Sequence, residues 1–112
     1  MSSEVVRADE WVRMTVGVPV LGASDSETFR KEIKGAIGQG DRHFVLDVGN
    51  VSFIDSTGLG AIVSGFKLLQ EDREFYLCSP QQAVRSTLDM LHLGKILKIV
   101  SSVEEAEAAL LQ

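Results

Sequence analysis

Residues 53–66 read FIDSTGLGAIVSGF. An apolar pair, an acid, two adjacent hydroxyls and two closely spaced glycines stand where strand-like sequence gives way to a helical pattern, and this junction decides the fold. From Leu59 onward, Ile62, Val63, Phe66 and Leu69 recur at helical spacing, which makes Asp55 or Ser56 the natural N-cap of a helix with one apolar face. Upstream, HFVLDV (43–48) has the apolar run and β-branched content of an interior strand, and GNVSFID (49–55) leads from it into the helix. The unit is therefore strand, loop, helix.

The same alternation continues in both directions. EFYLC (74–78) reads as a further strand. SPQQAVRSTLDML (79–91) follows as a helix with Ser79 as N-cap, Pro80 at the first helical position, Gln82 at the capping-box position, and Val84, Leu88 and Leu91 facing inward. Gly94 closes that region, ILKIV (96–100) is a short strand, and Ser102 with Glu105 opens a last helix whose inner face is Val103, Ala106 and Leu110. Towards the N-terminus, EVVR (4–7) and WVRMTV (11–16) form a hairpin, with Val12, Met14 and Val16 on one face. GVPVLGAS (17–24) breaks the pattern. Ser24 and Glu27 then form a capping box for a helix from about residue 25 to about 38, whose stripe is Phe29, Ile33, Ala36 and Ile37. The expected architecture is α/β: a mixed sheet packed with about four α-helices, the crossover strands parallel and the first hairpin antiparallel.

Composition limits what such a domain can do. The 112 residues fit one domain, residues 1–112, and the 45 % hydrophobic and 24 % charged fractions are those of a globular chain. The formal charge is −5 from 11 basic and 16 acidic residues. With Lys31, Lys34, Lys67, Arg73, Arg85, Lys95 and Lys98 dispersed, no nucleic-acid surface is expected. MSSEVVRADEW has neither a basic n-region nor an apolar h-region, and no run approaches the ~20 residues that span a bilayer. Direct membrane insertion is therefore not expected, and the expected location is cytoplasmic. Cys78 is the single cysteine, set in an apolar strand as a small core residue.

Tests for familiar chemistry fail on spacing. Gly60 and Gly65 satisfy G-x-x-x-x-G, but Phe66 stands where a phosphate-binding loop needs Lys. Position 63 is Val where a dinucleotide fingerprint needs its third Gly, so both glycines read as close packing of the helix on the sheet. The residue two before Ser56 is Ile54, which excludes a nucleophile elbow. His43 and His92 have no ligand-spaced Cys, Asp or Glu beside them, so no metal site or cofactor is expected. Asp47 and Asp55 leave a carboxylate pair open, yet nothing else completes a catalytic site. The chain is not expected to be an enzyme.

The segment VSFIDSTGLGAIV (51–63) resembles the signature of the STAS domain, the family of sulfate transporters and anti-sigma-factor antagonists: an apolar run followed by D-S-[ST]-G-[LI]-G. The likeness extends through FVLDVGNVSFID (44–55) and the segment from Arg73 to Leu110, and implies a stand-alone anti-sigma factor antagonist. In such antagonists the serine after the motif aspartate is phosphorylated by the partner, an anti-sigma factor that is itself a serine kinase, and a serine phosphatase resets the switch. The resemblance puts the phosphoacceptor on Ser56 and the partner-binding segment on Asp55, Ser56, Thr57, Gly58 and Leu59, with Asp55 shaping the acceptor, Gly58 permitting close approach, and Thr57 and Leu59 lining the contact. One departure stands out. Antagonists commonly carry G-x-L-D after the second strand, whereas GVPV (17–20) puts Val20 in place of the acid. The other role open to such a chain is a non-switching STAS subunit of an ABC-type transporter or a signalling scaffold, in which Ser56 only caps a helix. A small-molecule sensor has no pocket-forming polar set to support it.

Overall fold

A computed structural model describes residues 3–111. Strands β1 (Glu4–Arg7) and β2 (Trp11–Thr15) form the hairpin, and β3 (Val20–Leu21) leads into α1 (Ala23–Ile37). Strands β4 (His43–Asp47) and β5 (Phe53–Ile54) precede α2 (Ser56–Phe66). Then come β6 (Phe75–Cys78), α3 (Gln82–Met90), a 3-10 turn (Leu93–Lys95), β7 (Lys98–Val100) and α4 (Val103–Leu110). The main sheet has the order β1-β2-β4-β6-β7, antiparallel between β1 and β2 and parallel elsewhere. The expected mixed topology is observed in this sheet, whereas the connection from β4 to α2, expected as a loop, carries the short strand β5, which pairs with β3 outside it.

Alternation along the central strands separates two cores. Phe44 and Leu46 of β4, Phe75 and Leu77 of β6, and Val12 and Met14 of β2 pack with Phe29, Ile33, Ile62, Val84 and Leu88 from α1, α2 and α3. Val45, Tyr76 and Cys78 point to the opposite face, where Ala106 of α4 covers them. Burial on both faces is why HFVLDV reads as an unbroken apolar run. Arg13, on the α4 side of β2, reaches Glu107 at 3.0 Å and ties that helix across the sheet. At the far edge, the Arg7 guanidinium donates to the Ala36 carbonyl at 3.1 Å, placing a cation at the C-terminal end of α1.

Several local expectations are corrected. The first helix starts at Ala23 with Gly22 as N-cap and no side-chain cap, so Ser24 and Glu27 make no capping box. The third helix starts at Gln82, and Ser79 is no cap: it takes a left-handed conformation with φ 62° where the chain turns out of β6. Leu91 lies beyond the end of that helix and is 53 % exposed, so it does not face inward. Gly94 falls within the 3-10 turn, after the helix has already ended at Met90. Gly65 does allow close packing, but against Ile33 and Ile37 of α1 and not against the sheet. The last helix forms as expected, the Ser102 hydroxyl accepting from the Glu105 amide at 3.0 Å.

Candidate functional site

Strands β3 and β5 form a second, two-stranded parallel sheet beside the main one, with Val20 opposite Phe53 and Leu21 opposite Ile54. Period-two alternation sends Leu21 and Ile54 into the core and leaves Val20 47 % and Phe53 55 % exposed. This short ladder delivers the chain to Asp55 at a fixed height, since the Asp55 amide donates to the Leu21 carbonyl at 3.2 Å.

Asp55 is the N-cap of α2. Its Oδ1 accepts from the amides of Thr57 at 2.9 Å and Gly58 at 3.1 Å, and from the Thr57 hydroxyl. Its Oδ2 accepts from the amide of Ala23, the first residue of α1, at 3.2 Å. One carboxylate therefore closes the N-terminal ends of two helices lying side by side, where both macrodipoles are positive. The Thr57 hydroxyl, the Gly58 amide and the other two amides hold the Asp55 carboxyl below the usual carboxylate range, against the opposing effect of desolvation. The cap needs room. A Cβ at Gly22 would stand 2.9 Å from Asp55 Oδ2, and one at Gly58 would stand 2.4 Å from the Leu21 carbonyl oxygen.

Ser56 is the first residue of α2 and is exposed. Among the described residues its hydroxyl makes no hydrogen bond within the protein, in contrast to Thr57, whose hydroxyl is tied to Asp55. Gly58 and Leu59, expected at the contact surface, are buried: Leu59 is 6 % exposed and belongs to the core. The close approach that Gly58 permits is that of the chain's own Leu21. The motif thus divides into an outward hydroxyl at Ser56 and an inward set, Asp55, Thr57, Gly58 and Leu59, that mounts it.

Other sequence candidates go elsewhere. Asp47 Oδ1 accepts from the Gly49 amide at 2.9 Å, closing the turn after β4, so each of the two aspartates is engaged by backbone amides. His43 Nδ1 accepts from the Glu74 amide at 2.9 Å and joins two strand starts. Among the described residues, no cluster of His, Cys, Asp or Glu is suited to hold a metal ion. Cys78 is fully buried, and burial with the charge of Asp47 pushes its thiol up to about 12. Val20 and Phe53 were not singled out as a pair by sequence reasoning. The burial of Ile54 and the strand period imply that Phe53 faces out, but their pairing joins residues 33 apart and has no local signal.

A sequence model of the STAS domain matches residues 10–106. The chain belongs to the STAS domain family. It is 29 % identical over 91 residues to a protein of Bordetella bronchiseptica provisionally named anti-sigma factor antagonist BtrV, covering 80 % of this chain and 78 % of that one. It is 41 % identical over 58 residues to the anti-sigma F factor antagonist of Paenibacillus polymyxa, covering 51 % and 50 % of the two chains. Among solved structures, it resembles a STAS domain protein of Planctomyces limnophilus, with TM-score 0.90, 21 % identity and 98 % of both chains covered. It also resembles the phosphorylated form of the Bacillus cell-fate determinant SpoIIAA, with TM-score 0.71, 22 % identity, and 96 % of this chain and 98 % of that one covered. These structural likenesses establish the STAS fold, and the expected mixed sheet with four helices is that fold. No helix of the described residues is long and apolar enough to cross a membrane.

Proposed function

We propose that this STAS domain is an anti-sigma factor antagonist, located in the cytoplasm, that binds a kinase-type anti-sigma factor while Ser56 is unmodified and is released when that kinase phosphorylates Ser56. The names of its relatives support the antagonist role. The observation that carries the switch is the contrast between neighbouring hydroxyls. Ser56 is exposed and unbonded, while Thr57 is spent on Asp55. Only the first is free to accept a phosphoryl group.

The physical consequence is asymmetric. A phosphate adds ~1.5 to 2 negative charges on the outside of a helix start, at an exposed position where neither helix has to move to accommodate it. A partner docked over Val20, Phe53 and Ser56 would have to bury that charge against an apolar surface. A penalty of ~4 kcal/mol for taking that charge out of water corresponds to ~1,000-fold weaker binding. The domain acts as a rigid mount and the partner reads the charge. Asp55 serves by fixing the first turn of α2, and a serine phosphatase resets the acceptor.

The test is to incubate the protein with ATP and kinases from its own host, map the modified residue by mass spectrometry, and measure affinity for the captured kinase. Ser56→Ala binds persistently and Ser56→Asp binds poorly on this reading. Equal affinity of the two variants, or phosphate found anywhere but on the peptide spanning residues 53–67, refutes it.

A further inference from the structure

The geometry points to Arg30 as the residue that receives a phosphate carried on Ser56, giving up its present hydrogen bond to Ser64 to do so. This rests on the phosphoacceptor reading of Ser56 and adds to it the intramolecular cation that the modified side chain pairs with.

Helices α1 and α2 run parallel along their seam. The start of α1 meets Asp55 through the Ala23 amide, Arg30 lies against Gly60 and Ser64, and Ile33 and Ile37 lie against Gly65. Ser56, Gly60 and Ser64 succeed one another at intervals of four residues, so each is ~6 Å further along α2 and only ~40° round from the last. They form one stripe on the exposed side of the seam. The Arg30 guanidinium rests on this stripe: Nη1 donates to Ser64 Oγ at 2.8 Å, and Nη2 lies 3.2 Å from where a Cβ of Gly60 would be. Between it and Ser56 lies one helical turn that carries no side chain on this stripe.

The charge balance supplies the driving force. Asp55 already occupies the amides of Thr57, Gly58 and Ala23, and Asp25 adds a second acid in the first turn of α1. A phosphate on Ser56 arrives beside this negative charge with the helix amides largely spent, so compensation must come from a side chain. On α1, Lys31 sits near Glu27 at 3.8 Å, and Lys34 stands a further turn away from Ser56 than Arg30 does. Arg30 holds only a neutral hydroxyl, at an exposed position. An arginine–phosphate pair is charge-assisted, frequently bidentate and roughly twice as strong as the neutral bond it replaces. The exchange moves one long, exposed side chain and leaves both helices where they are.

The experiment uses protein with phosphoserine installed at position 56 by peptide ligation, and follows its 31P shift against pH. A phosphoserine ordinarily loses its second proton near pH ~6. With Arg30 present that midpoint falls by roughly one unit relative to Arg30→Gln, a tenfold change for one cation at close range. Arg30→Lys restores part of the drop, Ser64→Ala leaves it intact, and the unphosphorylated variants melt with the parent. Midpoints that coincide in the parent and Arg30→Gln, or an Arg30 Nε resonance unmoved by the phosphate, overturn the assignment. Because the phosphate is introduced chemically, such a result removes Arg30 and leaves the switch standing. A failure of kinases to modify Ser56 removes the switch without bearing on this measurement.

Discussion

Replacing Gly58 with alanine tests whether the motif glycine is held by the fold and not by a partner. The new Cβ would sit 2.4 Å from the Leu21 carbonyl oxygen, 3.0 Å from Ile54 Cγ1 and 3.1 Å from Leu21 Cγ. The first of these is backbone, and it is the same carbonyl that accepts from the Asp55 amide at 3.2 Å. Relief requires either that β3 retreat, breaking that bond, or that the first turn of α2 lift off and loosen the Asp55 cap. Overpacking costs ~1–3 kcal/mol and the lost hydrogen bond ~1 kcal/mol, against ~1 kcal/mol gained from alanine's helix propensity. The net is a loss of about 2 kcal/mol, or about 10 °C in melting temperature for a chain of this size. Gly60→Ala is the matched control, because its Cβ meets only the flexible end of Arg30 at 3.2 Å. It keeps the propensity gain and melts at or above the parent temperature. The assay is thermal unfolding by circular dichroism on all three proteins, with urea midpoints as a second measure. If Gly58→Ala melted within about 2 °C of the parent, or the two variants fell together, the packing account of the motif would be refuted.

Two further outcomes follow from the titrating groups. The Asp55 carboxyl is lowered in the folded protein, so the stability it contributes is fully present above its unfolded value near ~3.9 and is lost as pH falls through the folded one. Asp55→Asn should therefore melt well below the parent at neutral pH, with the gap narrowing under acid; a gap independent of pH contradicts the assignment. Cys78 is the opposite case, raised from 9.0 to about 12 and fully buried. Its neutral thiol favours the fold below pH 9.0, and that contribution is lost as pH rises towards 12. Ellman's reagent at pH ~8 should label Cys78 only at the rate of unfolding, and rapid labelling of native protein would show the thiol accessible.

The helices and the strands of the main sheet are legible because periodicity is a local property, whereas β3 and β5, two residues each, are too short to show one. β4 and β6 announce themselves by unbroken apolar runs, and α2 and α4 by their stripes. Helix starts were less legible, and for a specific reason. Ser24 and Ser79 have the right chemistry for caps, yet α1 is capped by nothing on its own side chains and its first amide is instead satisfied by Asp55, a residue 32 positions away. At Ser79 the hydroxyl suits a cap, but the chain takes a left-handed turn there as it leaves β6, and the helix starts only at Gln82. Tertiary satisfaction of backbone donors leaves no trace in a window of ten residues. The same holds for Leu59. Its position in the motif suggests a contact surface, while its place in the apolar stripe, read on its own terms, already sent it to the core.

The double role of Asp55 also decides which substitutions can inform on function. Because one carboxylate closes both α1 and α2, any Asp55 variant disturbs the seat of Ser56 and the start of both helices at once. A loss of partner binding in such a variant therefore carries no information about contact. Gly22 and Gly58 share this ambiguity, since both exist to make room for the cap and its strand. Ser56 is free of it: it is exposed and its hydroxyl makes no hydrogen bond among the described residues, so Ala removes only the acceptor, Asp and phosphoserine add charge at the surface, and the mount stays intact. A switch confined to such a residue can be read by a partner without the fold having to move, which is the property a reversible antagonist requires.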